Sequence, residues 1–398
     1  MNCLSISEKS CRVLCAVTLF CFLATGCRSM QTPTSVREQA QSAVTPLSLS
    51  LNLWQSTMAD NKNKTNIWLS PISVGMAMQS VYDGAVGDTK DELAVVVCDY
   101  RPVSTDQLKM ADALFVDPRM SLLNSYEQQM RDKGAEIYQQ VITGKAVNQW
   151  AGNHTNGKIN YILEDPLKAP LNVVIANAIY FYADWAEPFN KSATREDTFY
   201  LTPKCTKQVP MMRRTDYMNY AENDEMQAVT LYYARSSSQQ NKVRYAMTII
   251  LPKPRVFIEK LMAGMSSDKL ESWLDESFYS DRRVQLHLPK TTVSYDRVLN
   301  QDLKNMGVRC AFSPSKADFT AMCKDPMVID MVKQSSFLRM DEKGTEAAAV
   351  TVVGMKTTAV RVTDEPIQMH VNRPYLLILR DMTNDVPLFV GTIFNPAQ

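Results

Sequence analysis

Side chains that could perform catalysis or hold a metal ion are few in this sequence and lie far apart. The only histidines are His154, His287 and His370, and none of them belongs to an HExxH motif or another close pair. The sequence also contains no GxSxG elbow, no GxxxxGK[ST] phosphate loop and no GxGxxG dinucleotide loop. His287 lies in an apolar strand pattern, which favours a packed or hydrogen-bonded histidine. The sequence therefore predicts neither a metal site nor an enzyme, and a triad assembled from distant residues stays an alternative.

The cysteines fall into two groups. Five of the nine precede residue 28, and the others are Cys98, Cys205, Cys310 and Cys323. None of these four forms a CxxC pair, and a chain of this length needs no disulfide framework. The sequence predicts free thiols, with a disulfide between Cys310 and Cys323 as the alternative.

The N-terminus has the pattern of an export signal. A basic segment precedes an apolar run, residues 13–24, and small residues then lead to Cys27. This ending resembles a bacterial lipobox, although Ala24 stands where such boxes usually carry Leu. We expect 1–26 to be a signal peptide, with Cys27 lipidated and a polar tether over 27–44. Simple secretion is the alternative.

Composition and charge restrict the class of protein. Of the 398 residues, 45% are hydrophobic and 21% are charged, as in ordinary globular domains. The segment 1–26 carries two basic and one acidic side chain, so its removal reduces 43 basic and 42 acidic residues to 41 of each. A chain without positive excess is not expected to bind nucleic acid. After the signal, no stretch approaches the ~20 apolar residues of a spanning helix.

The elements that must position any site are mainly helical in the first third of the chain and mainly strands later. Ser70 can cap a helix that has Pro71 in its first turn, and a second helix is expected from Asp88. The apolar run 171–181 predicts a strand buried on both faces, and 374–394 predicts a C-terminal hairpin. Helices followed by strands favour an α+β fold.

One run near the C-terminus, Asp341–Pro366, fits no single element. Its first half suits a helix, its second half is rich in valine and threonine, and its only proline is the last residue. It contains no aromatic residue. This composition is typical of neither one buried element nor a polar loop.

Eight blocks of sequence occur in an order that is typical of one family. They are NIWLSPISVGMAMQSVYDGAVGDTKDEL (66–93), NQWAGNHTNGKI (148–159), IANAIYFYADWAEPF (175–189), VPMM (209–212), LHLPK (286–290), AFSPSKADFT (311–320), EKGTEAAA (342–349) and RPYLLILRD…PLFVGTIFNP (373–396). Through these blocks the chain resembles the serpins, a family of serine protease inhibitors, over about 45–398. Any one block is modest evidence, whereas all of them in order are specific.

The resemblance implies a fold and an activity. The fold would be an α+β serpin domain over 45–398, with three β-sheets, about nine helices and an exposed reactive-centre loop at about 342–366. Insertion of the cleaved loop into the central sheet is a known property of the family. The implied function is suicide-substrate inhibition of serine endopeptidases, elastase-like or trypsin-like, with papain-like cysteine proteases as further targets. A non-inhibitory serpin-fold binding protein is the alternative.

The loop sequence alternates as insertion into a sheet requires. With Thr345 facing inward, as the family alignment suggests, both charges, Glu346 and Lys356, face outward. No proline interrupts 345–356, so every backbone N–H can join a ladder. The inward set consists of small or apolar residues: Thr345, Ala347, Ala349, Thr351, Val353 and Met355.

The resemblance also assigns site residues. The usual loop length places the reactive bond at Thr358–Ala359, with Lys356–Thr357 as the alternative. The expected loop hinge comprises Glu342, Gly344, Thr345, Glu346, Ala347, Ala348 and Ala349. The expected breach, at the top of the central sheet, comprises Lys290, Glu342 and Trp185. The expected shutter, a polar cluster beneath the centre of that sheet, comprises Ser70, Ser73, Asn177 and Gln334.

The remaining expectations concern pH sensing, partners and location. Many serpins carry histidine where this chain has Gln334, and glutamine does not titrate, which puts pH sensing by the shutter in doubt. We expect a monomer without cofactor or metal, exported to a bacterial cell envelope. A lipid on Cys27 would be its only membrane contact, at the periplasmic or surface face of the outer membrane; otherwise the protein is secreted.

Overall fold

The structure is a computed structural model that describes residues 44–98, 100–235, 243–345 and 365–397. The expected signal peptide, Cys27 and almost all of the tether lie outside the described residues. So does the segment 346–364, which contains the expected reactive bond. The described residues belong to one unit, Ala43–Gln398.

Eight α-helices occur in these described ranges. They are α1 (Pro46–Asp60), α2 (Pro71–Gly84), α3 (Gly87–Leu93), α4 (Asn124–Asp132), α5 (Gly144–His154), α6 (Ile258–Ala263), α7 (Ser267–Leu274) and α8 (Asn300–Asn305). As predicted, the Ser70 hydroxyl accepts from the backbone N–H of Ser73 and caps α2. Within the described ranges, no helix is long and apolar enough to cross a membrane.

Sixteen strands make up the sheets of the described chain. They are β1 (Ile67–Leu69), β2 (Leu108–Val116), β3 (Glu136–Gln139), β4 (Val173–Phe181), β5 (Ala183–Asp184), β6 (Arg195–Thr202), β7 (Cys205–Glu222), β8 (Met226–Tyr232), β9 (Tyr245–Pro252), β10 (Ser280–Pro289), β11 (Thr291–Val298), β12 (Met331–Met340), β13 (Gly344–Thr345), β14 (Ile367–His370), β15 (Tyr375–Asp381) and β16 (Val386–Ile393). The predicted C-terminal hairpin is the antiparallel pair β15 and β16.

One sheet has seven strands in the order β3-β2-β4-β12-β13-β5, with β11 also paired to β12. β4 and β12 are parallel and pair directly, from Val174 opposite Met331 to Tyr180 opposite Phe337. We call the line along which β4 and β12 meet the slot. We call the end of the slot beyond Tyr180 and Phe337 its upper end. There β13 lies between β12 and β5 and pairs with both, whereas below it β12 pairs directly with β4.

The other sheet has nine strands in the order β1-β16-β15-β9-β8-β7-β10-β14, with β6 paired to β7. The 18-residue strand β7 pairs with β6 and β10 along most of its length and with β8 at its end. This continuity places β6, β10 and β8 in one sheet. The described residues therefore form two sheets and eight α-helices instead of three and about nine, while the expected α+β class is confirmed.

The core explains why the β4 sequence is apolar throughout. Every residue of β4 is buried, with alternate side chains in different apolar clusters. One face packs with α2 residues such as Val74, and the other packs with Val147, Trp150 and Ala151 of α5. β4 is thus the two-face-buried strand that the sequence predicted.

The two buried cysteines Cys310 and Cys323 are reduced and do not form the alternative disulfide. The Cys310 thiol instead donates to the carboxylate of Glu92 across 3.2 Å. This contact accounts for Cys310 without any cross-link.

Candidate functional site

The upper end of the slot already holds two residues of the Asp341–Pro366 run. In β13, Thr345 pairs antiparallel with Met340 on one side and with Ala183 on the other. A Cβ on Gly344 would lie 2.2 Å from the carbonyl oxygen of Ala183, so the close approach of the two backbones requires glycine. Gly344 and Thr345, both expected hinge residues, therefore form the entrance of the slot.

Aromatic side chains support this entrance. Trp185 is buried, donates from Nε1 to the carbonyl oxygen of Asp341 at 3.0 Å, and stacks on Tyr233 with ring centroids 4.4 Å apart. The hydroxyl oxygens of Tyr233 and Thr345 are 2.6 Å apart, so the side chain of Thr345 points into the protein. Burial raises the pKa of Tyr233, which keeps the phenol neutral. No sequence motif surrounds Tyr233, so it was not among the predicted site residues.

Glu342 and Lys290 form an ion pair beside the entrance. The Lys290 ammonium is 2.9 Å from Oε2 of Glu342, whose side chain is only 6% exposed, whereas that of Lys290 is 37% exposed. The Thr194 hydroxyl donates to the other carboxylate oxygen at 2.8 Å. Burial opposes ionisation of Glu342, but hydrogen bonds from Lys290, the Glu342 backbone N–H and Thr194 outweigh it and hold the pKa below its ordinary value. Because Glu342 is buried, this pair is less screened by solvent than an ion pair between two exposed side chains.

A network of neutral side chains occupies the centre of the slot. Gln334 and Asn177 face each other across the β4–β12 pairing, and Nε2 of Gln334 donates to Oδ1 of Asn177 at 2.7 Å. Gln334 also donates to the Ser70 carbonyl at 2.8 Å and accepts from the Ser70 N–H at 3.0 Å. The Asn177 amide donates to the Ser73 hydroxyl. The four expected shutter residues are thus in one network, and each is at most 1% exposed.

An acidic residue that we had not predicted, Asp112, joins this network from β2. Asp112 is opposite Asn177 in the strand register, and the Asn177 amide donates to its carboxylate. Burial raises the pKa of Asp112 to about 7, against the hydrogen bond from Asn177 and the charge of Arg101, and Glu136 raises it further. A lone carboxylate inside the apolar segment LKMADALFV was the sequence signal that could have identified it.

Residues 46–396 match the family model described as Serpin (serine protease inhibitor). The chain is a serpin. The activity that the family description names is the inhibition of serine proteases, not catalysis.

Two relatives illustrate how widely this serpin matches. It is 30% identical over 365 residues to an uncharacterised serpin-like protein of Thermococcus kodakarensis, covering 84% of this chain and 82% of the relative. It is 27% identical over 358 residues to Iripin-2 of Ixodes ricinus, covering 82% of this chain and 87% of the relative. Both alignments span most of each chain, so the resemblance is to whole serpins.

Solved structures agree on the fold. Human thyroxine-binding globulin, solved with bound thyroxine, aligns with a TM-score of 0.77 at 23% identity, covering 89% of this chain and 98% of that one. The thermophilic serpin Tengpin in its native state aligns with a TM-score of 0.76 at 22% identity, covering 89% and 94%. At such identities the similarity concerns the fold alone.

Part of the expected site of this serpin lies outside the described residues. This applies to four hinge residues and both reactive bonds: Glu346, Ala347, Ala348, Ala349, Lys356, Thr357, Thr358 and Ala359. The roles assigned to them stay predictions. The described structure does bring the breach residues together at the entrance and the shutter residues together at the centre.

The serpin also brings together two histidines that are far apart in sequence. His287 of β10 and His370 of β14 are opposite each other in the parallel register, with ring centroids 4.8 Å apart. Asp197 of β6 lies beside them. Burial lowers the pKa of both imidazoles, and the Asp197 carboxylate opposes this effect. Spacing along the chain does not reveal this cluster, which depends on the pairing of β10 with β14.

Proposed function

We propose that this serpin inhibits serine endopeptidases by trapping the acyl-enzyme while the cleaved front half of its loop inserts into the slot. The observation that carries this proposal is a match of registers. At the entrance, Met340 of β12 is aligned with Ala183 of β5 through Thr345, which pairs with both. At the centre, β12 pairs directly with β4. The offset in sequence between β12 and the segment β4–β5 is the same at both places.

The match follows from the residues that face each other. At the entrance, Thr345 has Met340 on one side and Ala183 on the other. Six residues further along an antiparallel strand, Thr351 would be opposite Gln334 and Asn177, which already pair with each other. β4 and β12 would therefore have to part without sliding to admit the loop. An antiparallel strand between them could use all its backbone N–H and C=O groups.

The side chains of the loop suit the walls that they would meet. In this register the hydroxyl of Thr351 would reach the polar network at the centre. Val353 would lie beside Val332 and Ile175, which are both 1% exposed. Continued to Met355, the strand ends opposite Val173 and covers about 36 Å at ~3.3 Å per residue. Both expected reactive bonds lie beyond Met355, so a cut at either leaves a strand long enough for the whole slot.

The chemical step belongs to the protease. Its serine oxygen attacks the carbonyl carbon of Thr358, the bond to the nitrogen of Ala359 breaks, and that nitrogen takes a proton from the protease histidine. The front half of the loop remains as an ester on the protease serine. Insertion would then carry the protease away before water hydrolyses the ester, and it must compete with turnover of ~1–10³ per second.

The two expected bonds correspond to different targets. A cut after Thr358 suits elastase-like enzymes with small primary pockets, whereas a cut after Lys356 suits trypsin-like enzymes. Papain-like cysteine proteases would form the corresponding thioester. Thyroxine-binding globulin shares the fold, so a binding role is the second proposal, but the small hinge residues Ala347, Ala348 and Ala349 favour insertion.

The proposed location follows from the N-terminal pattern. The basic segment, the apolar run 13–24 and Cys27 support export with a lipid anchor in a bacterial envelope. Labelling of cells with a fatty-acid analogue should modify the wild-type protein and not Cys27→Ser.

The test of inhibition is a denaturing gel after mixing the mature protein with pancreatic elastase or with trypsin. We expect a covalent adduct of the combined mass that survives SDS, and mass spectrometry of the released C-terminal peptide identifies the cut bond. Complete cleavage without adduct, and without a rise in the melting temperature of the cleaved protein, would contradict the proposal. Cleavage that raises the melting temperature but leaves no adduct would show insertion without trapping.

A further inference from the structure

Three strands contribute one metal-ligating side chain each to a single cluster on the nine-stranded sheet. Asp197, His287 and His370 come from β6, β10 and β14, and one ligand atom of each lies within 4.8 Å of the others. Nε2 of His370 is 3.4 Å from Oδ2 of Asp197. Two ligands of a tetrahedral zinc ion, with bonds of ~2.0–2.1 Å, are about 3.3 Å apart. This pair therefore already has the required separation.

The hydrogen bonding of His287 is incomplete without a ligand. Its Nδ1 is buried and has no hydrogen-bond partner among the described residues. Its Nε2 is 3.3 Å from the side-chain nitrogen of Gln285. The Gln285 oxygen accepts from Nε2 of Gln368 at 2.8 Å, so a joint flip of the two amides keeps a hydrogen bond between them. It would place the Gln285 oxygen where it accepts the Nε2–H, and Nδ1 of His287 would then carry a free lone pair. A metal-bound histidine typically has such an acceptor on its other nitrogen.

The cluster is accessible to ions from solvent, and a neighbouring arginine holds its carboxylate in place. The side chains of His370 and Asp197 are 37% and 24% exposed, so an ion can enter and water can complete the coordination. Arg213 donates to Oδ2 of Asp197 at 2.9 Å and orients the carboxylate. Its positive charge also opposes a cation, which limits the affinity.

We propose that Asp197, His287 and His370 form a binding site for one zinc-class divalent cation, with water as the remaining ligand. Imidazole and carboxylate ligands in this number suit Zn²⁺, whereas Mg²⁺ prefers an all-oxygen octahedron. The site departs from our sequence-based expectation of no metal, because strand pairing creates it. It is independent of the proposed inhibition.

The ion would link the segment that follows the loop to the body of the sheet. β14 begins at Ile367, three residues after the undescribed segment ends, and its only strand partner is β10 among the described strands. A cation held by His370, His287 and Asp197 adds a bond from β14 to β10 and to β6. Zinc is therefore expected to stabilise the attachment of β14.

The test is calorimetric titration of the chelator-treated, tag-free mature protein with ZnCl₂ at pH 7.5. We expect one site per chain with micromolar affinity and no binding of MgCl₂. His287→Gln, His370→Gln and Asp197→Asn should each weaken binding at least tenfold, whereas His154→Gln, at a distant histidine bonded to Glu136, should not. Absence of zinc binding, or binding that survives all three substitutions, would overturn the proposal.

Melting temperature supplies a second measurement that does not rely on the variants alone. Zinc in excess over the dissociation constant should raise the melting temperature of the wild type and of His154→Gln by several degrees. Cobalt(II) in place of zinc should give the intense visible bands of a four-coordinate ion. An equal zinc-induced shift in His370→Gln, or the weak spectrum of hexa-aquo cobalt in the wild type, would count against the site.

Discussion

The entrance and the centre of the slot are built from different chemistry. At the entrance an ion pair reaches solvent through Lys290, and β12 and β5 already accept Gly344 and Thr345 between them. At the centre β4 and β12 pair directly, and Gln334 and Asn177 are buried in a network of amides and hydroxyls. The entrance is prepared for an added strand, whereas the centre holds the sheet closed.

Under the proposed function, this difference would separate two properties of the inhibitor. The entrance would decide whether the cleaved loop enters in time, and so whether the protease is trapped or simply cleaves the loop. The centre would set the free energy needed to part β4 from β12, and so the lifetime of the uninserted state. Buried amides that lose a partner cost ~1–3 kcal/mol each, more than a partly solvated ion pair contributes.

The largest effect is expected from Thr345→Arg at the entrance. Thr345 is 1% exposed and its hydroxyl meets that of Tyr233, so an arginine there would have to bury its charge. The variant should be cleaved as a substrate, with at least a tenfold rise in the number of inhibitor molecules consumed per protease inactivated. Titration of protease activity and the yield of SDS-stable adduct measure this ratio.

Glu346→Arg is the matched control for that substitution. Glu346 follows Thr345 directly and belongs to the expected outward set, so it keeps its side chain in solvent after insertion. We expect its stoichiometry to stay within about twofold of the wild type. If Glu346→Arg abolished inhibition and Thr345→Arg did not, the residues that face inward would be shifted by one position.

The next largest effect is expected from Asn177→Ala at the centre. The substitution removes a partner from Gln334, from Ser73 and from Asp112 at once. The free energy of unfolding should fall by about 2–4 kcal/mol, and inhibitory activity should decay faster at 37 °C. Urea unfolding and residual activity over time measure the two quantities. Asn172→Ala, just before β4, is the control; an equal loss there would mean that the network does not hold the slot closed.

The sequence allowed the fold class and most of the described site to be predicted, through specific blocks. The family resemblance predicted the shutter residues and also that they lie close together: Ser70, Ser73, Asn177 and Gln334. Tyr233 was missed, because its role depends on stacking and on one hydroxyl contact that no sequence pattern records.

The histidine cluster was missed for a related reason. The distance between His287 and His370 depends on which strands are neighbours and in which register they pair. The number of sheets was also not predictable, since it depends on whether β7 is continuous. Local sequence patterns predict individual helices and strands. The histidine cluster and the number of sheets depend on which strands pair in the folded protein.

Asp112→Asn tests whether ionisation of the Asp112 carboxyl destabilises the network at the centre of the slot. The pKa of Asp112 is raised from 3.8 to about 7, so the folded protein binds this proton more tightly than the unfolded chain. Stability from this group therefore falls as the pH rises from about 4 to 7. The asparagine variant should be more stable than the wild type by about 1–3 kcal/mol at pH 8 and by much less at pH 4.5. Urea unfolding at both pH values checks this, and an equal difference at both would exclude titration of Asp112 as the cause.

The smallest effect is expected from Lys290→Gln at the entrance, and its pH dependence has the opposite sign to that of Asp112 at the centre. The pKa of Glu342 is lowered in the folded state, so its contribution to stability is present above about pH 4.5 and is lost as the pH falls through the folded value. Because Lys290 is 37% exposed, the loss at pH 7 should be about 0.5–1 kcal/mol, and it should shrink as the pH falls below 4.5. Gln334→Ala interrupts bonds to groups that carry no charge, so its larger effect should remain as the pH falls. A loss in Lys290→Gln that stays constant as the pH falls, while Glu342→Gln abolishes the pH dependence of the wild type, would show that packing of the lysine stem, and not its charge, stabilises the entrance.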